Sequence, residues 1–371
     1  MMQIPFNLMA KPAGATCNLQ CSYCYYLENG TPYMDDTVLE AYIRNYIREQ
    51  PSQQVDFVWQ GGEATLQGIP FYKKALQLQK QYRNGKVITN SFQTNGTLLT
   101  DDWCRFFRDN NFLVGISIDG PAELHDPYRV NKGGKATFKQ VMRGLQLLLK
   151  YRVEFNTLTV VHDLNAKKPL EVYRFLKREG SEYMQFIPLV GKKEAVDPQE
   201  FGRFMSSIFD EWVKRDVGRY FVPVFDAALA NEVGVPAGSC VFNDYCGQSI
   251  VIEHNGDVFA CDHFVEPQYK VGNILTGSLQ EMMHSEKQQT FGLNKLRLLS
   301  AACGNCDVYK YCRGECPKNR QSDGLNYLCK GYRLFFRHIR PYLQFMANEL
   351  AHHRSLANVM RYASTGFPPL N

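Results

Sequence analysis

Three cysteines crowd into eight residues, Cys17-Asn18-Leu19-Gln20-Cys21-Ser22-Tyr23-Cys24. A structural zinc ion would need a fourth ligand, and none lies nearby in sequence. An iron–sulfur cluster can be held by three thiolates if its fourth iron takes an exogenous ligand, and that open iron is a place for chemistry. Eight further cysteines occupy the last third: Cys240, Cys246, Cys261, Cys303, Cys306, Cys312, Cys316 and Cys329. The run Cys303-x2-Cys306-x5-Cys312-x3-Cys316-Pro317 ends as two-cluster bacterial ferredoxin sequences do, where the cysteine before proline ligates the other cluster. By that logic Cys303, Cys306, Cys312 and Cys329 hold one cluster, and Cys316 joins Cys240, Cys246 and Cys261 at a second. Zinc is the competing reading, since zinc ribbons also use C-x2-C pairs. The remaining thiol, Cys104, stands among Trp103, Phe106 and Phe107 on a predicted helix and reads as core. Asp262 directly follows Cys261. A carboxylate so placed can accept a proton if it is positioned for it, the plain alternative being a supporting loop residue.

These residues need a frame. The first two thirds alternate strand-like and helix-like segments, with strands predicted over 5–10, 55–60, 88–93, 113–118, 155–161 and 184–189. Helices are predicted over 35–49, 68–82, 101–110, 137–150, 168–179 and 198–214. The clearest carries Phe138, Val141, Met142, Leu145, Leu148 and Leu149 as one apolar stripe. Six strand–helix units imply a parallel α/β sheet or a partial barrel. Chemistry in such folds collects at the C-terminal strand ends. There lie Cys17 after strand one, Gly61-Gly62-Glu63 after strand two, Gln93-Thr94-Asn95 after strand three, Ser117 and Asp119 on strand four, and Pro188 to Val190 on strand six. Asn255-Gly256 predicts a hairpin between Ile250–Glu253 and Val258–Cys261, which puts Cys261 on a strand. A domain boundary is expected between about 215 and 240, with Asp216–Arg219 a suitable place. The C-terminal residues from Ala351 read as loosely held.

Composition excludes several classes. The 371 residues are 44% hydrophobic and 21% charged, which rules out wholesale disorder, collagen and coiled coil. A net charge of +5 is too weak and scattered to argue for nucleic acid. No long apolar run predicts a membrane span, and Met1–Lys11 lacks the character of a signal peptide. Twelve cysteines in a long chain without a leader therefore predict metal in a reducing cytoplasm in preference to disulfides. There is no Walker A loop, no G-x-G-x-x-G and no H-E-x-x-H. The basic residues around 330–340 interleave with Tyr332, Phe335, Phe336 and Ile339, as on an amphipathic surface helix.

The C-x3-C-x2-C spacing followed by Tyr25, placed after the first strand of an α/β repeat, resembles the signature of the radical S-adenosylmethionine (AdoMet) superfamily. The resemblance implies a partial (β/α)6 barrel and a [4Fe–4S] cluster on Cys17, Cys21 and Cys24. The open iron would chelate the methionine end of AdoMet, whose cleavage yields a 5′-deoxyadenosyl radical. Gly61-Gly62-Glu63 resembles the superfamily's GGE segment, which binds the cofactor's amino group. The family usually has proline next; Ala64 stands here and is expected to loosen the loop. Tyr26, Gly62, Glu63, Ser117, Arg129 and Val190 fall at family cofactor positions. The C-terminal cysteines resemble the SPASM extension with two auxiliary [4Fe–4S] clusters. The implied organisation is a radical AdoMet barrel over 1–220, a SPASM domain over 221–335, and a helix and tail over 336–371.

Several segments are similar to the anaerobic sulfatase-maturating enzymes. These are Met9-Ala10-Lys11-Pro12, Gln93-Thr94-Asn95-Gly96, Ser117-Ile118-Asp119-Gly120-Pro121, Gln185-Phe186-Ile187, Cys261-Asp262 and Asn326-Tyr327-x-Cys329. The resemblance implies conversion of a Cys or Ser of a sulfatase or related peptide to Cα-formylglycine. Hydrogen would be abstracted from Cβ, Asp262 would be the base, and the second electron would pass to an auxiliary cluster. It also implies an external one-electron reductant such as flavodoxin or ferredoxin, and neither nucleic acid nor membrane as partner. The short 188–197 segment departs from related enzymes at a site-facing loop. A peptide maturase forming a thioether or carbon–carbon crosslink is thus one alternative, and a non-enzymatic iron–sulfur electron carrier is another. Clusters with three, four and four thiolates carry about −5 together, which the chain's basic excess would offset.

Overall fold

The structure is a computed structural model that describes residues 3–26 and 32–363. The described chain runs β1 (Asn7–Lys11), α1 (Asp36–Glu49), β2 (Gln54–Trp59), α2 (Gly68–Tyr82), β3 (Val87–Thr94), α3 (Asp101–Asp109), β4 (Phe112–Ser117) and α4 (Ala122–His125). It continues α5 (Phe138–Tyr151), β5 (Phe155–Val161), α6 (Pro169–Arg178), β6 (Met184–Pro188), α7 (Pro198–Arg215) and α8 (Pro223–Val233). The C-terminal part comprises β7 (Ser249–Glu253), β8 (Asp257–Phe259), β9 (Lys270–Asn273), α9 (Leu279–His284), α10 (Glu286–Arg297), α11 (Tyr309–Cys312), α12 (Cys329–Ala351) and α13 (Val359–Tyr362). The six strands and six helices expected of the first two thirds are all present, each within two residues at either end. No described helix is long and apolar enough to cross a membrane.

The chain divides into two compact units. The first comprises Met1–Ser117, His125–Phe155 and Cys246–Leu293. Its strands lie in the order β4-β3-β2-β1-β7-β8-β9. β1 to β4 pair in parallel, β7 pairs in parallel with β1, and β8 and β9 complete an antiparallel edge. Alternation in β2 buries Val55, Phe57 and Trp59. Trp59 meets Tyr42 of α1 edge-on at 5.6 Å and Tyr72 of α2 at 5.5 Å. On α3, Trp103, Phe106 and Phe107 bury against Phe92 and Phe112, and Cys104 is fully buried with its thiol pushed up to about 12 by burial. Such aromatic contacts add to the stabilisation from area burial.

The hairpin forms, but its second strand is short. β8 stops at Phe259, so Cys261 lies beyond the strand rather than on it. The β8–β9 ladder shifts register between Val258 and Phe259, and beyond the strand Ala260 N–H still reaches Tyr269 O at 3.0 Å.

The second unit comprises Ile118–Leu124, Asn156–Tyr245 and Asn294–Asn371. β5 and β6 pair in parallel. Helices α7 and α12 pack closely because Gly202 meets Gly331: a Cβ at Gly202 would stand 2.6 Å from the Gly331 carbonyl oxygen. Asp216 lies within this unit, buried, accepting from the Tyr173 hydroxyl at 2.8 Å and pairing with Lys177 at 2.6 Å. Helix α12 starts at Cys329 and continues without a break past 335. After Ala351, α13 and a 3₁₀ turn at Leu356–Asn358 are formed; the rest of the tail expected to be loose, 364–371, lies outside the described residues.

Candidate active site

In the first unit, β1 delivers the chain into the cysteine loop at Lys11. Cys17 Sγ accepts the Leu19 N–H at 3.4 Å and the Asn95 side-chain amide at 3.7 Å, while Cys24 N–H donates to Cys21 O at 3.1 Å. Burial pushes the Cys17 thiol up to about 11, with Glu63, Cys21 and Cys24 adding to the rise. Three thiolates this close repel, so their joint ionisation calls for a shared cation. A cluster on Cys17, Cys21 and Cys24 fits that donor set, and the N–H···S contacts suit a thiolate ligand.

The glycine-rich segment is locked to this loop. Gly62 has φ +49°, and a Cβ there would sit 2.1 Å from the Thr16 carbonyl oxygen. Glu63 N–H donates to that same oxygen at 2.9 Å. The buried Glu63 carboxylate accepts from Thr65 N–H (3.1 Å), the Thr65 hydroxyl (2.6 Å), the Thr94 hydroxyl (2.8 Å) and Asn95 N–H (2.7 Å). Its burial nevertheless pushes its pKa up. Glu63 thus ties the end of β3 to the loop after β2. Ala64 does not loosen this loop: it is fully buried and opens a 3₁₀ turn that the Glu63 side chain caps, so the missing proline is replaced by a polar clasp.

Of the other expected cofactor positions, Ser117 ends β4 and its hydroxyl accepts from the Gln93 side chain at 3.1 Å. Arg129 is buried and donates to the Tyr23 hydroxyl at 2.8 Å, one residue from Cys24. Val190, in the second unit, follows β6 in a segment pinned by Leu189 N–H to Val161 O and Val196 N–H to Leu189 O, at 2.9 and 3.1 Å.

The unforeseen feature of the first unit is a buried charge cluster. Register places Lys11 opposite Glu253, the last residues of β1 and β7. Lys11 is 1% exposed. Its Nζ lies 2.6 Å from Asp262 Oδ1, 3.9 Å from Glu253 Oε1 and 3.6 Å from the Tyr26 ring centre. Tyr25 donates to Asp262 Oδ2 at 3.2 Å, and Tyr26 donates to Glu253 at 2.6 Å. Burial raises the Asp262 pKa, but the charge and hydrogen bond of Lys11, with His263 and Tyr25, outweigh it and hold the carboxyl below its usual range. Asp262 is therefore an anion over the working pH range, able to receive a proton. Both tyrosine hydroxyls are pushed well up by burial and by the carboxylates they bond.

The auxiliary cysteines divide between the units. Cys303, Cys306, Cys312 and Cys329 lie in the second; burial first, and then neighbouring thiols of this set, raise the pKa of Cys303, Cys312 and Cys329, Cys312 to about 12. This mutual repulsion fits a shared cluster. Cys240 and Cys316 belong to the second unit, and Cys246 and Cys261 to the first. Lys295, 1% exposed, donates to the carbonyls of Cys240 at 2.6 Å and Val241 at 2.9 Å. Among the described residues, no three His, Cys, Asp or Glu side chains close on one point as ligands of a single ion do. A cluster spreads its ligands over separate irons.

Sequence reasoning assigned no role to Lys11, Glu253 or Tyr25. The available signal was β7 itself: Ile250, Val251, Ile252 and Glu253 are all buried. A run without alternation marks a strand covered on both faces, not a solvent-edge hairpin.

Residues 12–176 match the Radical SAM superfamily, and 240–317 match SPASM, an iron-sulfur cluster-binding domain. A serine-type anaerobic sulfatase-maturating enzyme from Bacteroides thetaiotaomicron is 48% identical over 397 residues, spanning 98% of this chain and 96% of that protein. A cysteine-type anaerobic sulfatase-maturating enzyme from Clostridium perfringens is 34% identical over 370 residues, spanning 93% and 99%. The solved structure of native anSMEcpe with bound AdoMet and Cp18Cys peptide aligns with a TM-score of 0.88 at 33% identity, covering 94% of this chain and all of that one. A relationship of this depth, running through both matched domains, decides against the electron-carrier alternative. The chain belongs to the anaerobic sulfatase-maturating enzymes, radical AdoMet proteins with a SPASM domain.

Proposed function

We propose that this protein oxidises the side chain of a serine, and also of a cysteine, in a sulfatase peptide to Cα-formylglycine, with Asp262 as the base. Greater identity to the serine-type relative than to the cysteine-type one supports serine as the natural target. The carrying observation is Asp262 itself, a carboxylate ion-paired to buried Lys11 in the unit that holds the Cys17–Cys24 loop.

Cys17, Cys21 and Cys24 would hold the radical-generating [4Fe–4S] cluster, and Tyr26, Gly62, Glu63, Ser117, Arg129 and Val190 would frame AdoMet. Cys303, Cys306, Cys312 and Cys329 would hold one auxiliary cluster, and Cys240, Cys246, Cys261 and Cys316 the other. By order along the chain, the segment over 1–220 would supply the barrel and the segment over 221–335 the auxiliary-cluster ligands, with 336–371 following. When bound, AdoMet on its cluster supplies a 5′-deoxyadenosyl radical that can take a hydrogen atom from Cβ. This chain's part is positional and electrostatic. Gly62 brings the loop after β2 against Thr16, and Glu63 fixes that loop to β3. Asp262 accepts the proton from the substrate oxygen or sulfur. The side chain loses two hydrogens in all: one as an atom to the 5′-deoxyadenosyl radical, the other as a proton to Asp262 and an electron that an auxiliary cluster would accept. A serine yields the aldehyde directly, whereas a cysteine yields a thioaldehyde that water hydrolyses. A separate electron, needed for AdoMet cleavage, would come from an external reductant of the flavodoxin or ferredoxin class.

Mass spectrometry of peptides containing Ser-x-Pro-x-Arg and Cys-x-Pro-x-Arg, incubated anaerobically with reconstituted protein, AdoMet and reductant, tests the proposal. Aldehyde from both, faster from serine, is expected. Cleaved AdoMet beside unaltered peptides overturns it in favour of another peptide modification.

A further inference from the structure

We propose that Lys11 is a positioning residue for the reaction, fixing the orientation of the Asp262 carboxylate and supplying its counter-charge. The inference rests on Asp262 being the base. It is carried by geometry. A lysine 1% exposed is rare unless paired, and here one ammonium faces two carboxylates, Asp262 at 2.6 Å and Glu253 at 3.9 Å. The Tyr26 ring, 3.6 Å from Nζ, offers it a further electron-rich face. Lys11 Nζ stands 2.6 Å from Oδ1 of Asp262 as an ion pair, and Tyr25 donates to Oδ2, so a charge on one oxygen and a hydrogen bond on the other restrain the carboxylate.

The path of the lysine stem is built in. Gly61 has φ +89°, and a Cβ there would stand 2.6 Å from Lys11 Cγ and 2.7 Å from Lys11 Cβ. The first glycine of the Gly61-Gly62-Glu63 segment thus makes room for the unbranched stem of Lys11, while Gly62 serves the close approach to Thr16. Lysine's thin chain and compact charge suit such a slot, where the broad guanidinium of arginine would not. Glu253 receives the Tyr26 hydroxyl, which gives the second carboxylate its own donor and leaves the ammonium closer to Asp262.

The test compares Lys11→Met, Asp262→Asn and the double variant, reading the ratio of aldehyde to 5′-deoxyadenosine in single turnover. Both products come only from loaded, folded molecules, so the ratio is unaffected by partial loss of protein or clusters. Lys11→Met is expected to lower the ratio at least about tenfold, within the 10²–10⁴ range of a general base. In the Asp262→Asn background it should lower it no further. A multiplicative loss in the double variant overturns the proposal, as does a wild-type ratio in Lys11→Met. Failure of Asp262→Asn to change the ratio would instead refute Asp262 as base. A second reading needs no turnover: urea unfolding of the same four proteins should show at least about tenfold coupling in the unfolding constant between the two substitutions. Independent effects there refute the contact.

Discussion

Gly62→Ala isolates how the glycine-rich loop and the cysteine loop are held together. The new Cβ would stand 2.1 Å from Thr16 O and 2.9 Å from Gly14 O. Packed atoms do not approach below van der Waals contact, so the two segments must part by about 1 Å. At φ +49° the alanine also enters the left-handed region, at about 1–2 kcal/mol. Parting removes the 2.9 Å hydrogen bond from Glu63 N–H to Thr16 O, about 0.5–1.5 kcal/mol. Together these come to about 1.5–3.5 kcal/mol, a large share of a typical domain stability. A displacement of this size beside a reacting centre costs on the order of 10²-fold in rate. The assays are the urea midpoint, iron bound per chain, and reductant-dependent 5′-deoxyadenosine formation. Gly218→Ala is the control: φ is +82°, yet no atom lies within 4 Å of the added Cβ. It should lose only the backbone contribution and cleave AdoMet normally. If Gly62→Ala matched Gly218→Ala in midpoint and deoxyadenosine yield, the close approach to Thr16 would not be what fixes the loop.

Asp262→Asn should retain iron and AdoMet cleavage while aldehyde formation falls about 10²–10⁴-fold, and equal turnover to wild type would remove Asp262 from the mechanism. Because its folded-state pKa is depressed, Asp262 stays ionised above the ordinary carboxylate range and protonates only as pH falls below it. The aldehyde-to-deoxyadenosine ratio should therefore be flat on the acid side down to that range, and a drop between pH 5 and 7 would contradict the assignment. Replacing Cys17, Cys21 or Cys24 by Ala should abolish AdoMet cleavage, measured as 5′-deoxyadenosine. Cys329→Ser should lower iron and sulfide by up to about one cubane's share while leaving the AdoMet-dependent cluster's EPR signal. An unchanged iron count would place Cys329 outside the ligand set.

The framework was legible because its signals are local. Strands 155–161 and 184–188 and helix 68–82 follow from apolar periodicity and turn residues within short windows. The cysteine loop was legible for the same reason, with three ligands inside eight residues. Comparing alanine with proline at position 64 alone does not reveal the loop's rigidity, because the loop is secured by the four donors on Glu63. The Asn255-Gly256 signal marks the turn but not the length of the strand after it, and the register shift near the end of β8 involves β9 beyond it.

Residue types and their order by themselves determined the chemistry this protein can carry: clustered thiolates, a close-approach glycine segment and an acid next to Cys261. They determined the α/β alternation that presents them. Only the tertiary structure decided that β7 lies beside β1, aligning Lys11 with Glu253 and bringing Asp262 to the lysine. More than 240 residues separate Lys11 from those partners. No local pattern encodes a pairing at that distance; it is set by which apolar faces can be covered together once the whole sheet forms. Taken alone, a lysine at the end of an apolar strand reads as a solvated charge. It becomes a buried cation only where the fold supplies two carboxylates and an aromatic face to compensate its lost hydration.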